Sequence, residues 1–149
     1  MTQPTRPIVN LFAAVLLAAA AGPVLDAGFP DKGIWPLAFV GAAIILVTLI
    51  GRSIGGALLV GFIGSVSFYL VHVSWTALYL GPVPWVALSV LESIFFAVGA
   101  VLITLAFRWI PRVWNNRFSR LVLIPLVVAG LWTAREALVS TWPYGGFAW

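Results

Sequence analysis

The chain has 149 residues, 62% of them hydrophobic and 8% charged, with a formal net charge of +4. Ordinary soluble domains are about 45–50% apolar and about 25% charged, and one of this size keeps much of its chain at the surface, so the composition excludes a water-soluble globule and indicates a membrane protein. Cysteine is absent and histidine occurs once, which excludes a disulfide framework, a thiolate nucleophile and a thiolate metal site.

The apolar runs are continuous rather than alternating. That fits helices, which satisfy their own backbone hydrogen bonds in lipid, and not a transmembrane barrel with its period of two. Residues 1–7 form a short polar start containing Arg6. The first apolar run, Ile8–Leu25, is expected to be a retained helix; its small residues also suit a cleavable signal peptide, but a second run follows almost at once. A loop carrying Asp26, Asp31 and Lys32 leads to Ile34–Ile50, the shortest run. A turn with Arg52 leads to Ile54–Leu80. The uncharged turn Gly81–Val83 leads to Pro84–Ile110, and a basic segment leads to Leu121–Ser140. At about 20 residues per crossing, these read as five transmembrane helices, the third and fourth tilted or extended past the bilayer.

With five crossings, Arg6, Arg52, Arg108, Arg112, Arg117 and Arg120 fall on one side: six of the eight basic residues. Basic residues in short loops mark the cytoplasmic side. The expected fold is therefore an all-α polytopic bundle, N-terminus inside and C-terminus outside, with the bundle over residues 8–140 and an extracytoplasmic tail over 141–149. Trp35, Trp75, Tyr79, Trp85, Trp142 and Tyr144 are placed toward the outer interface, and Trp109 and Trp114 toward the inner one. Trp132 is expected between helices. Gly51, Gly55, Gly56, Gly61 and Gly64 open the third helix on small faces on which neighbours pack closely. No metal, cofactor or nucleic-acid partner is expected.

Ionisable groups within membrane helices are functional candidates by default. Four stand out: His72, Glu92, Arg135 and Glu136. His72 lies eight residues before the end of the third run and Glu92 eight residues after the start of the fourth. Both therefore sit roughly 12 Å below the outer end, where they can face each other across a tight hairpin. Arg135 and Glu136 lie at a similar depth, close enough to the interface to snorkel. The four form a candidate polar cluster in the outer half. The rival reading is a set of ion pairs that lock helix packing. No catalytic spacing is present: there is no Ser-His-Asp order, phosphate-cradling glycine loop or acid–base carboxylate pair with a nucleophile.

Four stretches, taken in order, resemble one family. GFPDKGIWPLAFV, Gly28–Val40, resembles the F-P-x-x-x-x-W-P-L-A opening of the second helix in apolipoprotein N-acyltransferases. GRSIGGALLVGFIGSVSFYLVHVSW, Gly51–Trp75, is similar to that family's glycine- and aromatic-rich third helix. LWTAREAL, Leu131–Leu138, resembles the L-W-x-x-x-E-x-L signature of the fifth. GGFAW, Gly145–Trp149, is similar to the G-F-P-W that closes it, in an actinobacterial form. The chain departs from the pattern at Ala148, where proline is usual, and at Val139, where arginine is common.

The resemblance implies a multi-pass protein of the bacterial plasma membrane with phospholipid as partner. Family members have eight transmembrane helices and an outer nitrilase-like domain with a Glu-Lys-Cys triad. Its cysteine takes an acyl chain from phospholipid and passes it to the N-terminal diacylglyceryl-cysteine of a lipoprotein. On that comparison the chain is expected to be the N-terminal membrane part, with the catalytic domain and further helices missing. It would hold no catalytic residue, meet lipoprotein substrate only within a full-length enzyme, and be inactive alone. The rival readings are a small membrane scaffold or accessory subunit and, behind it, a small transporter using His72 and Glu92.

Overall fold

The computed structural model describes residues 6–142, and every regular element among them is helical. The helices are α1 (Leu11–Asp26), α2 (Pro36–Leu49), α3 (Ile54–His72), the six-residue α4 (Trp75–Leu80), α5 (Pro82–Val113) and α6 (Ile124–Val139). A π-helical turn, Ser119–Leu123, runs into α6 without a break. Three helices are long and apolar enough to cross a membrane: α3, α5 and the continuous Ser119–Val139 helix. The two others, α1 and α2, are equally apolar but shorter. At 16 and 14 residues they reach about 24 and about 21 Å.

Local chemistry sets the boundaries. The Asn10 side chain caps α1 by accepting from the Ala13 N–H at 2.8 Å, so the helix starts three residues later than the apolar run. Pro36 occupies the first turn of α2 and Pro82 that of α5, where a missing N–H costs nothing. Ser53 caps α3 through the Gly56 N–H. The expected third span, Ile54–Leu80, is divided: α3 stops at His72, and Val73 sits at φ −103°, ψ 18°, the sparsely populated bridge region. The Val73 carbonyl accepts from both the Thr76 N–H at 3.0 Å and the Thr76 hydroxyl at 2.7 Å, a tight turn in place of the helical ladder. Gly81 then turns the chain at φ +83°, a conformation that disfavours any side chain.

Contacts fix the alternation of direction. At one end, Arg52 Nη2 donates to the Val9 carbonyl at 3.0 Å and Thr104 Oγ1 to the Leu49 carbonyl at 3.3 Å, so the start of α1, the α2–α3 turn and the late part of α5 lie together. At the other, Trp85 Nε1 donates to the Leu70 carbonyl at 3.2 Å, His72 meets Asp26, and Trp142 packs edge-on against Phe95. That end gathers the close of α1, α3 and α6 with the opening of α2 and α5.

The core is built on small residues. In the centre, α3 lies between α1 and α5, while α2 leans on α1 and α6 on α5. A Cβ on Gly61 would come within 2.6 Å of Ala100 Cβ on α5, and one on Gly64 within 3.4 Å of Ala18 Cβ on α1. These are the close approaches expected of a small helix face. Gly55, placed on the same face by the sequence, has nothing within 4 Å. Comparable or tighter approaches involve glycines the sequence did not single out. A Cβ on Gly22 would meet Ser67 Oγ at 2.0 Å, and one on Gly41 the backbone of Leu25 at 2.7 Å. Hydroxyls inside the bundle turn back on the helix backbone, Ser65 to Gly61 and Ser93 to Ser89, which satisfies these polar groups in apolar surroundings. The GGFAW tail and Tyr144 lie outside the described residues.

Candidate functional site

The end that joins Asp26, His72 and Trp85 carries two groups of charged side chains. The first is tied to α1. Asp26 is the last residue of α1, where the negative end of the helix dipole disfavours a carboxylate. Two partners offset that. Lys32 Nζ donates to Asp26 Oδ2 at 2.9 Å, and His72 Nδ1 lies 2.9 Å from Asp26 Oδ1. The His72 ring stacks on Phe68 and meets the Phe29 ring edge-on, at centroid distances of 4.7 and 4.5 Å. The hairpin argument placed His72 opposite Glu92; the structure puts it against Asp26 instead. Depth was legible from residue counting, but rotation about the helix axis was not, and α3 turns this face toward α1.

The second group surrounds Arg135. Its side chain is buried, with residue exposure of 9%, rather than snorkelling outward. The stem runs beside Gly99, where a Cβ would approach Arg135 Cδ to 3.0 Å. The guanidinium lies 4.4 Å from the Phe96 ring centre and 5.6 Å from that of Trp132, both within cation–π range. Nη1 donates to the Tyr69 hydroxyl at 3.4 Å, long for a hydrogen bond, and Nη2 donates to Glu136. Glu92 is 3% exposed, and its Oε2 is buried with no hydrogen-bond partner among the described residues. Arg135 and Glu136 are the charged groups whose fields act on it.

The two groups meet through Phe68, which stacks on His72 and lies edge-on to Tyr69 at 5.0 Å. Beside them opens a cavity of about 260 Å³. One wall is α2, with Ala38, Phe39 and Ala42. Phe68 and Tyr69 of α3 and Phe96 of α5 form the back, and Trp132, Arg135 and Glu136 of α6 close the other side. The cavity is mostly aromatic with one cationic corner. A guanidinium has five N–H donors, so Arg135 has N–H groups beyond those on Tyr69 and Glu136. Among the described residues no three His, Asp or Glu side chains converge as metal ligands.

Of the four candidate residues, Arg135, Glu136 and Glu92 are neighbours, and His72 belongs to the adjoining Asp26 group. Tyr69, Asp26 and Lys32 were missed. Asp26 carried a usable signal, because a carboxylate ending an apolar helix requires a cation close by. Tyr69 carried none, since one tyrosine within an apolar run reads as packing.

Residues 21–149 match the family model for the apolipoprotein N-acyltransferase N-terminal domain. The chain belongs to the apolipoprotein N-acyltransferase family. An apolipoprotein N-acyltransferase of Mycolicibacterium smegmatis is 31% identical over 109 residues, covering 70% of this chain and 18% of the relative. One from Geobacter metallireducens is 28% identical over 141 residues, covering 90% of this chain and 26% of the relative. The chain thus spans about a fifth to a quarter of the length of these apolipoprotein N-acyltransferases. Every residue of the cavity falls inside the stretch that matches the N-acyltransferase domain.

Proposed function

We propose that this chain forms the membrane-embedded N-terminal part of an apolipoprotein N-acyltransferase, and that its cavity is where the bundle meets the acyl region of phospholipid. One observation carries the reading. The three described stretches that resemble the family converge on the cavity. Gly28–Val40 supplies Phe29, Ala38 and Phe39, Gly51–Trp75 supplies Phe68 and Tyr69, and Leu131–Leu138 supplies Trp132, Arg135 and Glu136. Segments about 100 residues apart in sequence need a common reason to share one wall, and a lipid-contacting surface is such a reason. Aromatic walls suit an acyl chain, and unused guanidinium N–H groups suit an ester or phosphate oxygen at its head.

On this reading the bundle anchors and orients; it does not perform the transfer. Acyl transfer through a thioester needs an activated thiol, and the sequence contains no cysteine. The proposed orientation puts the cavity end in the outer leaflet and the arginine-rich end in the cytoplasm.

A chimera tests the reading. Residues 21–149 replace the matching segment of the Mycolicibacterium enzyme, and N-acylation of a diacylglyceryl lipopeptide is followed by mass spectrometry. Retained acylation is expected, together with its loss when Ala42→Phe fills the cavity. A chimera that reaches the membrane, folds and acylates equally well with the cavity filled would sink the proposal.

A further inference from the structure

The helix α6 is weakly held. Its only buried residues are Val128, Arg135 and Val139, so an arginine is one of three anchors on a 16-residue helix. Its N-terminal end is a π-helical turn, Ser119–Leu123, the kind of irregularity at which a helix bends or shifts register. At its other end Arg135 has two carboxylates within electrostatic reach. Glu136, its chain neighbour, is partly exposed and holds the guanidinium. Glu92, on α5, is buried, and its Oε2 has no hydrogen-bond partner among the described residues. Phe96, over which the guanidinium lies, is one helical turn from Glu92 and on the same face of α5.

We infer that Arg135 is a two-seat latch, exchanging between Glu136 and Glu92 as α6 moves on its π-helical joint, and that the exchange sets the polarity of the cavity. Arg135 and Glu136 line the cavity, whereas Glu92 does not. Seated on Glu136, the guanidinium forms the cationic corner. Seated on Glu92, it withdraws toward α5 and leaves a carboxylate at the rim. Gly99 keeps the path of the stem clear. In both states the buried cation stays paired, and Glu92 avoids an uncompensated buried charge by holding a proton while vacant and releasing it as the arginine arrives, since such a charge is strongly destabilising. A vacant buried carboxylate beside a paired arginine has no role in a rigid bundle, but it is the second position an exchange needs. The inference rests on this geometry and stands apart from the acyltransferase reading.

A double-mutant cycle on the full chain in detergent micelles tests it. If either carboxylate can seat the arginine, Glu92→Gln and Glu136→Gln each lower Tm by less than about 3 °C, while the double variant loses more than about 8 °C. Additive losses, or a Glu136→Gln loss as large as that of the double variant, overturn the latch. Labelling by a hydrophobic carbodiimide, read by mass spectrometry, supplies a measurement independent of whether the double variant folds. Glu92 labelling is expected to fall several-fold in Glu136→Gln relative to wild type, because Arg135 then covers it. Identical labelling in the two proteins also overturns the latch.

Discussion

The two ends of the bundle treat charge in opposite ways. At the end holding Asp26, His72, Glu92, Arg135 and Glu136, His72 pairs with Asp26 across α3 and α1, Arg135 reaches Tyr69 on α3 and Glu136 beside it, and its guanidinium lies over Phe96 of α5. At the other end, arginines address backbone or face outward. Arg52, 4% exposed, donates from Nε to the Thr48 carbonyl at 3.1 Å and from Nη2 to Val9, which caps the end of α2. Arg120 bonds the Asn115 side chain at 2.6 Å, and Arg112, Arg117 and Arg120 are exposed. One end therefore spends its charges on holding helices together and forming a cavity, and the other leaves most of its charges exposed. Residues of equal formal charge thus differ in use: tertiary contacts at one end and, in the orientation proposed above, exposed markers of one membrane side at the other.

Substitutions that respect this division should separate the two. The largest effect is expected at Arg135. Arg135→Ala removes the cation from beneath two aromatic rings and strands its neighbours, a loss of about 3–5 kcal/mol, read as a steep fall in thermal unfolding temperature. Gly22→Val should come next. The new side chain meets Ser67 and the α3 backbone, and forcing α1 away costs about 1–3 kcal/mol; Gly55→Ala at the opposite end has open space and should leave the same unfolding curve within about 0.5 kcal/mol. Asp26→Asn weakens both the His72 and the Lys32 contacts, and a loss of about 1–2 kcal/mol is expected, discounted on the Lys32 side because that amine is half exposed. The smallest stability effect belongs to the triple change of Arg112, Arg117 and Arg120 to Gln: under about 0.5 kcal/mol. In a dual reporter placed after Trp149, however, the same triple variant should show mixed orientation. A triple variant as uniformly oriented as wild type, but unstable, would erase the distinction between the ends.

Helix existence and the small faces of α3 were legible because apolar run length and residue size are read directly from sequence. The expected runs match the helices to within a few residues, apart from the break at Val73. That break has a local cause, bridge-region backbone at Val73 followed by a tight turn that Thr76 closes with its N–H and hydroxyl, which run-length reasoning averages away. The candidate site was legible by depth only. Counting residues from a turn gives height along a helix, and so found Glu92, Arg135 and Glu136 at one level. Which neighbour each faces depends on axial rotation and on close approaches such as Gly22 on Ser67 and Gly99 on Arg135. Those pairings are properties of two helices at once, and no single helix encodes them.

The length of α5 has a consequence of its own. Thirty-two residues make a rod of about 48 Å. Laying it wholly within about 30 Å of hydrocarbon would demand a lean of about 50°, beyond the 40° or so at which tilted spans stop. Part of the rod must therefore stand outside the hydrocarbon, in the headgroup layer or beyond it. Arg108 and Arg112, in its last two turns, suit that stretch, since their charge is costly within hydrocarbon.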